Sequence, residues 1–95
     1  MSTKYDLKKI EKISKALGDP YRLSIVDSIR KQKDWMTCTC ILGNYDLAQS
    51  TMSHHLKQLV DADILVAEKD GRNARYLINQ ETMEEYVKYL ASLTQ

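Results

Sequence analysis

At 95 residues and a formal net charge of +1, the chain is long enough for one small domain and too evenly charged for a polyelectrolyte tail. Hydrophobic residues at 43% and charged residues at 28% exclude a disordered composition, and no apolar run approaches the roughly 20 residues that span a bilayer. The lysine-rich start, MSTKYDLKKIEKISK, lacks the continuous apolar segment of a secretory signal, so the expected compartment is the cytoplasm.

The small net charge hides an asymmetry. Through Lys33 there are nine Lys and Arg residues against four acids, whereas the acids gather later, at Asp61, Asp63, Glu68, Asp70, Glu81, Glu84 and Glu85. That distribution permits a nucleic-acid partner without demanding one. A first helix is predicted from about Thr3 to Leu17, with Leu7, Ile10, Ile13 and Leu17 at helical spacing. Gly18 ends it. "GDP" then restarts the chain, with Asp19 as N-cap and Pro20 at the first helical position. The second helix, about Pro20 to Lys31, is expected to bury Leu23, Val26 and Ile29, and its basic end suits the negative end of the helix dipole.

After Trp35 comes a short apolar segment, Cys38 to Leu42, and then turn residues at Gly43 and Asn44. Asp46 and Gln49 have the spacing of a capping box for a helix of about Leu47 to Ala62. Met52, Leu56, Leu59 and Val60 share one face of that helix. Gln49, Ser50, Ser53, His54 and Lys57 share the opposite one. Two helices joined by a tight turn, the second with a polar face, have the shape of a helix-turn-helix. Ile64 to Lys69 and Arg72 to Ile78 read as strands around the turn signal Asp70–Gly71, which makes a wing. Asn79 caps a last helix, about Glu81 to Leu93, with a stripe of Met83, Tyr86, Val87, Leu90 and Leu93.

The expected fold is therefore mainly α with a small β-hairpin. It is a single winged helix-turn-helix domain over residues 1–95, in the order α-α-α-α-β-β-α. The first and last helices carry more apolar surface than so small a core can cover. Packing against the same helices of a second copy across a two-fold axis is the usual solution, and a homodimer is expected.

At "ALGDPYRLSIVDSI", "AQSTMSHHLKQLVDADIL" and "EKDGRNARYLI" the sequence closely resembles the ArsR/SmtB family of winged-helix repressors, over about residues 10 to 90. The resemblance implies a dimeric transcriptional repressor whose first and last helices form the interface. It places the helix at Leu47–Ala62 in the DNA major groove and the wing on the adjacent backbone, with release when an effector binds. The residue chemistry points the same way. Gln49, Ser50, Thr51, Ser53 and His54 occupy the half of the helix that meets base edges, and Gln can read adenine through two hydrogen bonds. Lys57, Arg72 and Arg75 are expected at phosphates. The expected partner is double-stranded DNA carrying an inverted repeat, with half-sites about one turn, roughly 34 Å, apart. A protein-interaction module built on the same fold is the alternative, and salt dependence separates the two. His55 lies toward the buried face and is expected to pack or hydrogen-bond. Its adjacency to His54 is not a metal pair, because neighbours on a helix point apart.

The two cysteines, Cys38 and Cys40, stand at the start of the helix before the reading helix, where many metal-sensing members of the family carry a Cys-x-Cys pair. The resemblance makes them candidate ligands for a soft effector: arsenite, cadmium, lead, zinc or copper. No cofactor is required. The sequence departs from the family pattern in having Ile41 after the second cysteine and no third cysteine. Packing as small hydrophobes and thiol redox sensing therefore stay open beside metal sensing. An oxidoreductase is disfavoured, because no general base or electrophile pocket accompanies the pair.

Overall fold

Capping residues set where the helices begin. The computed structural model describes residues 5–71 and 73–95. Asp6 accepts from the backbone N–H groups of Lys8 and Lys9, at 3.1 and 3.3 Å, so α1 runs Leu7–Leu17 rather than from Thr3, which lies outside the described residues. Asp19 caps α2 (Pro20–Gln32) by accepting from the Arg22 N–H at 3.0 Å, with Pro20 at the first position as expected. Lys33 closes α2 in the left-handed region, φ 57°, its N–H bonded to Arg30 O.

The inward face of α2 differs from expectation. Ile25 and Ile29 are buried, Val26 is half-buried against the core, and Leu23 is 52% exposed. Ile25 and Ile29 are one helical turn apart, and Leu23 stands two positions off that line.

Trp35 leads into β1 (Met36–Thr37), a strand the sequence pattern did not reveal. It pairs antiparallel with β3 (Asn73–Ile78), Met36 opposite Tyr76 and Thr37 opposite Arg75. β3 also pairs with β2 (Leu65–Asp70), so the hairpin becomes a three-stranded sheet in the order β1-β3-β2. Two residues are too few for any alternation to register, but Met36, 6% exposed, anchors the strand in the core. Asp70 pairs with Asn73, which puts Gly71 in the turn at φ +64°, a conformation that glycine tolerates without penalty.

Thr37 caps α3 (Cys38–Leu42), its hydroxyl accepting from Cys40 N–H at 3.1 Å. α4 spans Gln49–Asp61, and its N-cap is Ala48 with no side-chain capping bond. The capping box expected from Asp46 and Gln49 does not form. The helix starts two residues later than that pattern required, which leaves Asp46 upstream and Gln49 at the first helical position. Asn79 accepts from Thr82 N–H at 3.3 Å and caps α5 (Gln80–Ser92), as expected.

Ile13 of α1, Ile25 and Ile29 of α2, Ile41 of α3, Met52, Leu56 and Leu59 of α4, and Ile64 before β2 are fully buried together. Each contributes about 1.5–3 kcal/mol by leaving water. α5 joins this core through Met83 and Tyr86, and is tied to α1 by Ser14 Oγ–Tyr86 Oη at 2.9 Å and Lys9 Nζ–Glu85 Oε2 at 3.2 Å. The outer part of its stripe stays uncovered: Val87 is 59%, Leu90 42% and Leu93 63% exposed, beside Leu7 of α1 at 52%. The Cα radius of gyration, 14.2 Å, exceeds the roughly 12 Å of a compact chain of this length. Among the described residues, no helix is long and apolar enough to cross a membrane.

Candidate nucleic-acid interface

α4 buries Met52, Leu56 and Leu59 and turns the opposite face outward. Gln49, Ser50, Ser53, His54 and Lys57 are all exposed, as the sequence predicted, and so is Thr51. With no side-chain cap, the first N–H groups of α4 remain available to an anion at the positive end of the helix dipole. Lys57 Nζ lies 2.9 Å from Asp61 Oδ2, and this pair holds the Asp61 carboxyl below its usual range. Both groups are well exposed, so the pair is weak and leaves Lys57 free to exchange partners. His54 Nε2 stands 3.4 Å from Gln58 Nε2 on the same face.

The wing divides the predicted phosphate contacts. Arg75 on β3 is turned back on its own fold: Nη2 donates to Glu68 Oε1 at 2.6 Å and the guanidinium carbon sits 4.6 Å from the centre of the Trp35 ring. Its Nε is buried without a partner among the described residues. Glu68 therefore competes with a phosphate for Arg75. Arg72 lies outside the described residues.

Between α3, α4 and the wing runs a cleft of about 300 Å³, lined by Cys38, Gln49, Ser53, Lys69, Asn73 and Tyr76 among others. Lys69 and Asn73 thus stand beside the polar face of α4, a placement that sequence reasoning missed. The available signal was their position at the two ends of the hairpin turn. His55 takes the hydrogen-bonded role expected of it: its Nδ1 is 3.2 Å from Arg22 Nη1, and the side chain is 12% exposed.

The cysteines part company. Cys38 is half-buried in the cleft, and burial pushes its thiol above the ordinary value. Tyr76, opposite it, is also pushed up, first by burial and then by the nearby Cys38. Cys40 is exposed. On a helix, side chains two apart project about 200° from one another. Among the described residues, no group of three or more His, Cys, Asp or Glu is placed to hold a metal ion. As they stand, the two sulfurs do not form a closed soft-metal site.

Comparison with known proteins agrees with this geometry. A family model described as a helix-turn-helix domain matches residues 17–67. The arsenical resistance operon repressor of Staphylococcus xylosus is 35% identical to the chain, over 81% of it and 72% of that protein. Among solved structures, an ArsR-family transcriptional regulator superposes with a TM-score of 0.87 at 21% identity, covering 97% of this chain and 93% of its own. The homodimeric winged helix-turn-helix DNA-binding domain from Mycobacterium bovis gives 0.72 at 19% identity, over 99% and 91%. The chain belongs to the ArsR/SmtB family of winged helix-turn-helix transcriptional repressors, which are regulators and not enzymes.

Proposed function

We propose that the chain is a sequence-specific repressor that binds double-stranded DNA in the cytoplasm as a homodimer. The observation that carries this reading is the outward face of α4. Six polar side chains stand exposed along it, at an uncapped helix N-terminus and beside a wing. Gln49, Ser50, Thr51, Ser53 and His54 read bases from the major groove. Lys57 and the wing residues Arg72 and, once freed from Glu68, Arg75 neutralise phosphates. The stripe of Leu7, Val87, Leu90 and Leu93 takes the same stripe of a second copy, and the Mycobacterium bovis relative is itself homodimeric. The test is the double variant Ser53→Ala/His54→Ala, both positions being exposed and outside the core. It should remain a dimer and lose its preference for operator over random duplex. Unchanged preference sinks the assignment.

A second reading concerns release. The Staphylococcus xylosus relative is an arsenical resistance repressor, and Cys38 faces the same cleft as Gln49 and Ser53. A soft metal or metalloid (arsenite, cadmium, lead, zinc or copper) captured by Cys38 and Cys40 would have to open the single turn of α3, which braces α4. The check is titration of each ion into reduced protein, following thiolate absorbance and DNA release together. A Cys38→Ser/Cys40→Ser protein that responds like the parent removes the pair from the mechanism.

A further inference from the structure

Arg22 stands where α1, α2 and α4 meet. Its Nε donates to Ala16 O at 2.6 Å and its Nη2 to Lys15 O at 3.5 Å, both in the last turn of α1. Its Nη1 faces His55 Nδ1 on α4 at 3.2 Å. Tyr21 stacks on the His55 ring with centroids 5.8 Å apart. One side chain thus ties the end of the helix that carries Leu7 to the inner side of the reading helix. A guanidinium has donors only, so Nδ1 must accept. That bond is open only to the neutral ring that carries its proton on Nε2.

A second partner waits nearby. Asp19 Oδ2, which accepts from the Arg22 backbone N–H at 3.0 Å, lies 3.9 Å from the same Nδ1. The groups facing His55 are therefore Arg22 and Asp19 at the start of α2, the Tyr21 ring, and His54 on its own helix with ring centroids 6.4 Å apart. α1 contributes the backbone carbonyls that hold Arg22. A proton added at Nδ1 sets donor against donor, cation against cation, and turns the ring toward Asp19.

We infer that Arg22 and His55 are positioning residues for DNA recognition, a hydrogen-bonded clasp that fixes α4 against α1 and opens when His55 takes up a proton. This rests on the DNA-binding reading and gives it a regulation: acid pH weakens operator binding through the back of the reading helix. The two states are the neutral ring on Arg22 and the cationic ring on Asp19, and DNA favours the first.

The clasp itself is tested without DNA, by nitrogen-15 spectra of the histidine rings at about pH 8, above the range in which histidine ordinarily titrates. The expected result is a His55 ring protonated at Nε2 only, and a ring protonated at Nδ1 overturns the clasp. Its effect on DNA is tested with a duplex enriched from a randomised pool by the parent protein. His55→Asn keeps an acceptor near the Nδ1 position and cannot titrate, whereas His55→Ala removes the acceptor. At about pH 8 His55→Asn should bind within about twofold of the parent and His55→Ala about fivefold more weakly, the scale at which such remote contacts act. At about pH 5.5 the parent should bind about tenfold more weakly than His55→Asn. His54 is present in both proteins, so only a pH response that differs between them is assigned to His55. Parallel pH profiles for parent and His55→Asn, or parent-like binding by His55→Ala, overturn the inference and leave the DNA reading standing. A pool that yields no enriched duplex overturns both.

Discussion

Arg75 Nη2 lies 2.6 Å from Glu68 Oε1, across the register that sets these two residues opposite each other on β3 and β2. The wing therefore carries one of its cations already engaged, with the guanidinium resting on Trp35. Glu68→Gln removes an anion from the wing and releases Arg75. DNA affinity should rise several-fold, and the slope of log affinity against log salt should steepen by about 0.9, the value of one phosphate contact. Arg75→Ala in the parent background should shift that slope by much less than one contact. It should cost about 0.5–1 kcal/mol of stability through the lost ring contact. Salt titrations of binding and chemical denaturation separate the two effects.

Lys69 should make a different class of contact. It is exposed at the end of β2 and lines the cleft beside Gln49 and Ser53 with no ion-pair partner among the described residues. Lys69→Ala should weaken binding to all duplexes alike, by a salt slope of about one contact, and leave base preference unchanged. Ser53→Ala/His54→Ala should do the reverse, with each good base contact worth about 1–3 kcal/mol of discrimination. Competition between operator and random duplex at two salt concentrations distinguishes these outcomes.

The apolar stripe predicts an assembly. Leu90→Glu with Val87→Glu puts charge on a face whose residues are 42% and 59% exposed in the single chain, so the fold itself should survive. The variant should sediment as a monomer with undiminished helical circular dichroism. Its affinity for a full inverted repeat should fall to that of a half-site, because the second helix no longer binds as part of one body. A dimer that persists locates the interface elsewhere.

The cysteines should differ in reactivity and in their effect on stability. Cys40, exposed, should alkylate before half-buried Cys38 near neutral pH. Because burial raises the Cys38 thiol, the folded chain holds that proton where the unfolded chain would release it. The resulting stability is fully present below the thiol's ordinary value, about 8.5, and is lost as pH climbs through the folded value. A melting-temperature series from about pH 8 to 10.5 should fall more steeply for the parent than for Cys38→Ala.

Much of the fold was legible because local chemistry and tertiary structure agree. Asp19 with Pro20, the Met52–Leu56–Leu59 face and the Asn79 cap each serve one element and are read from a few adjacent residues. The misses share a cause: each depends on something distant. Leu23 and Ile25 look alike in sequence, and which of them is buried is set by how α2 lies on the rest of the core. Asp46 has capping chemistry, but the turn after α3 delays the start of α4 beyond its reach. β1 is a strand only because β3 is there to pair with it. At the interface the exposed face of α4 was readable from periodicity. The engagement of Arg75 by Glu68 depends on strand register, and the link from Arg22 to His55 spans 33 positions that no pattern connects.

Two copies of α4 reading one DNA site is the proposal on which the rest depends. Its most direct measurement is selection of bound duplexes from a randomised pool by the intact protein, followed by binding of the enriched sequence across a salt series. The expected result is an imperfect inverted repeat with half-sites about one helical turn apart, and a linear fall of log affinity with log salt. A pool that shows no two-fold repeat, or binding that does not respond to salt, would contradict it.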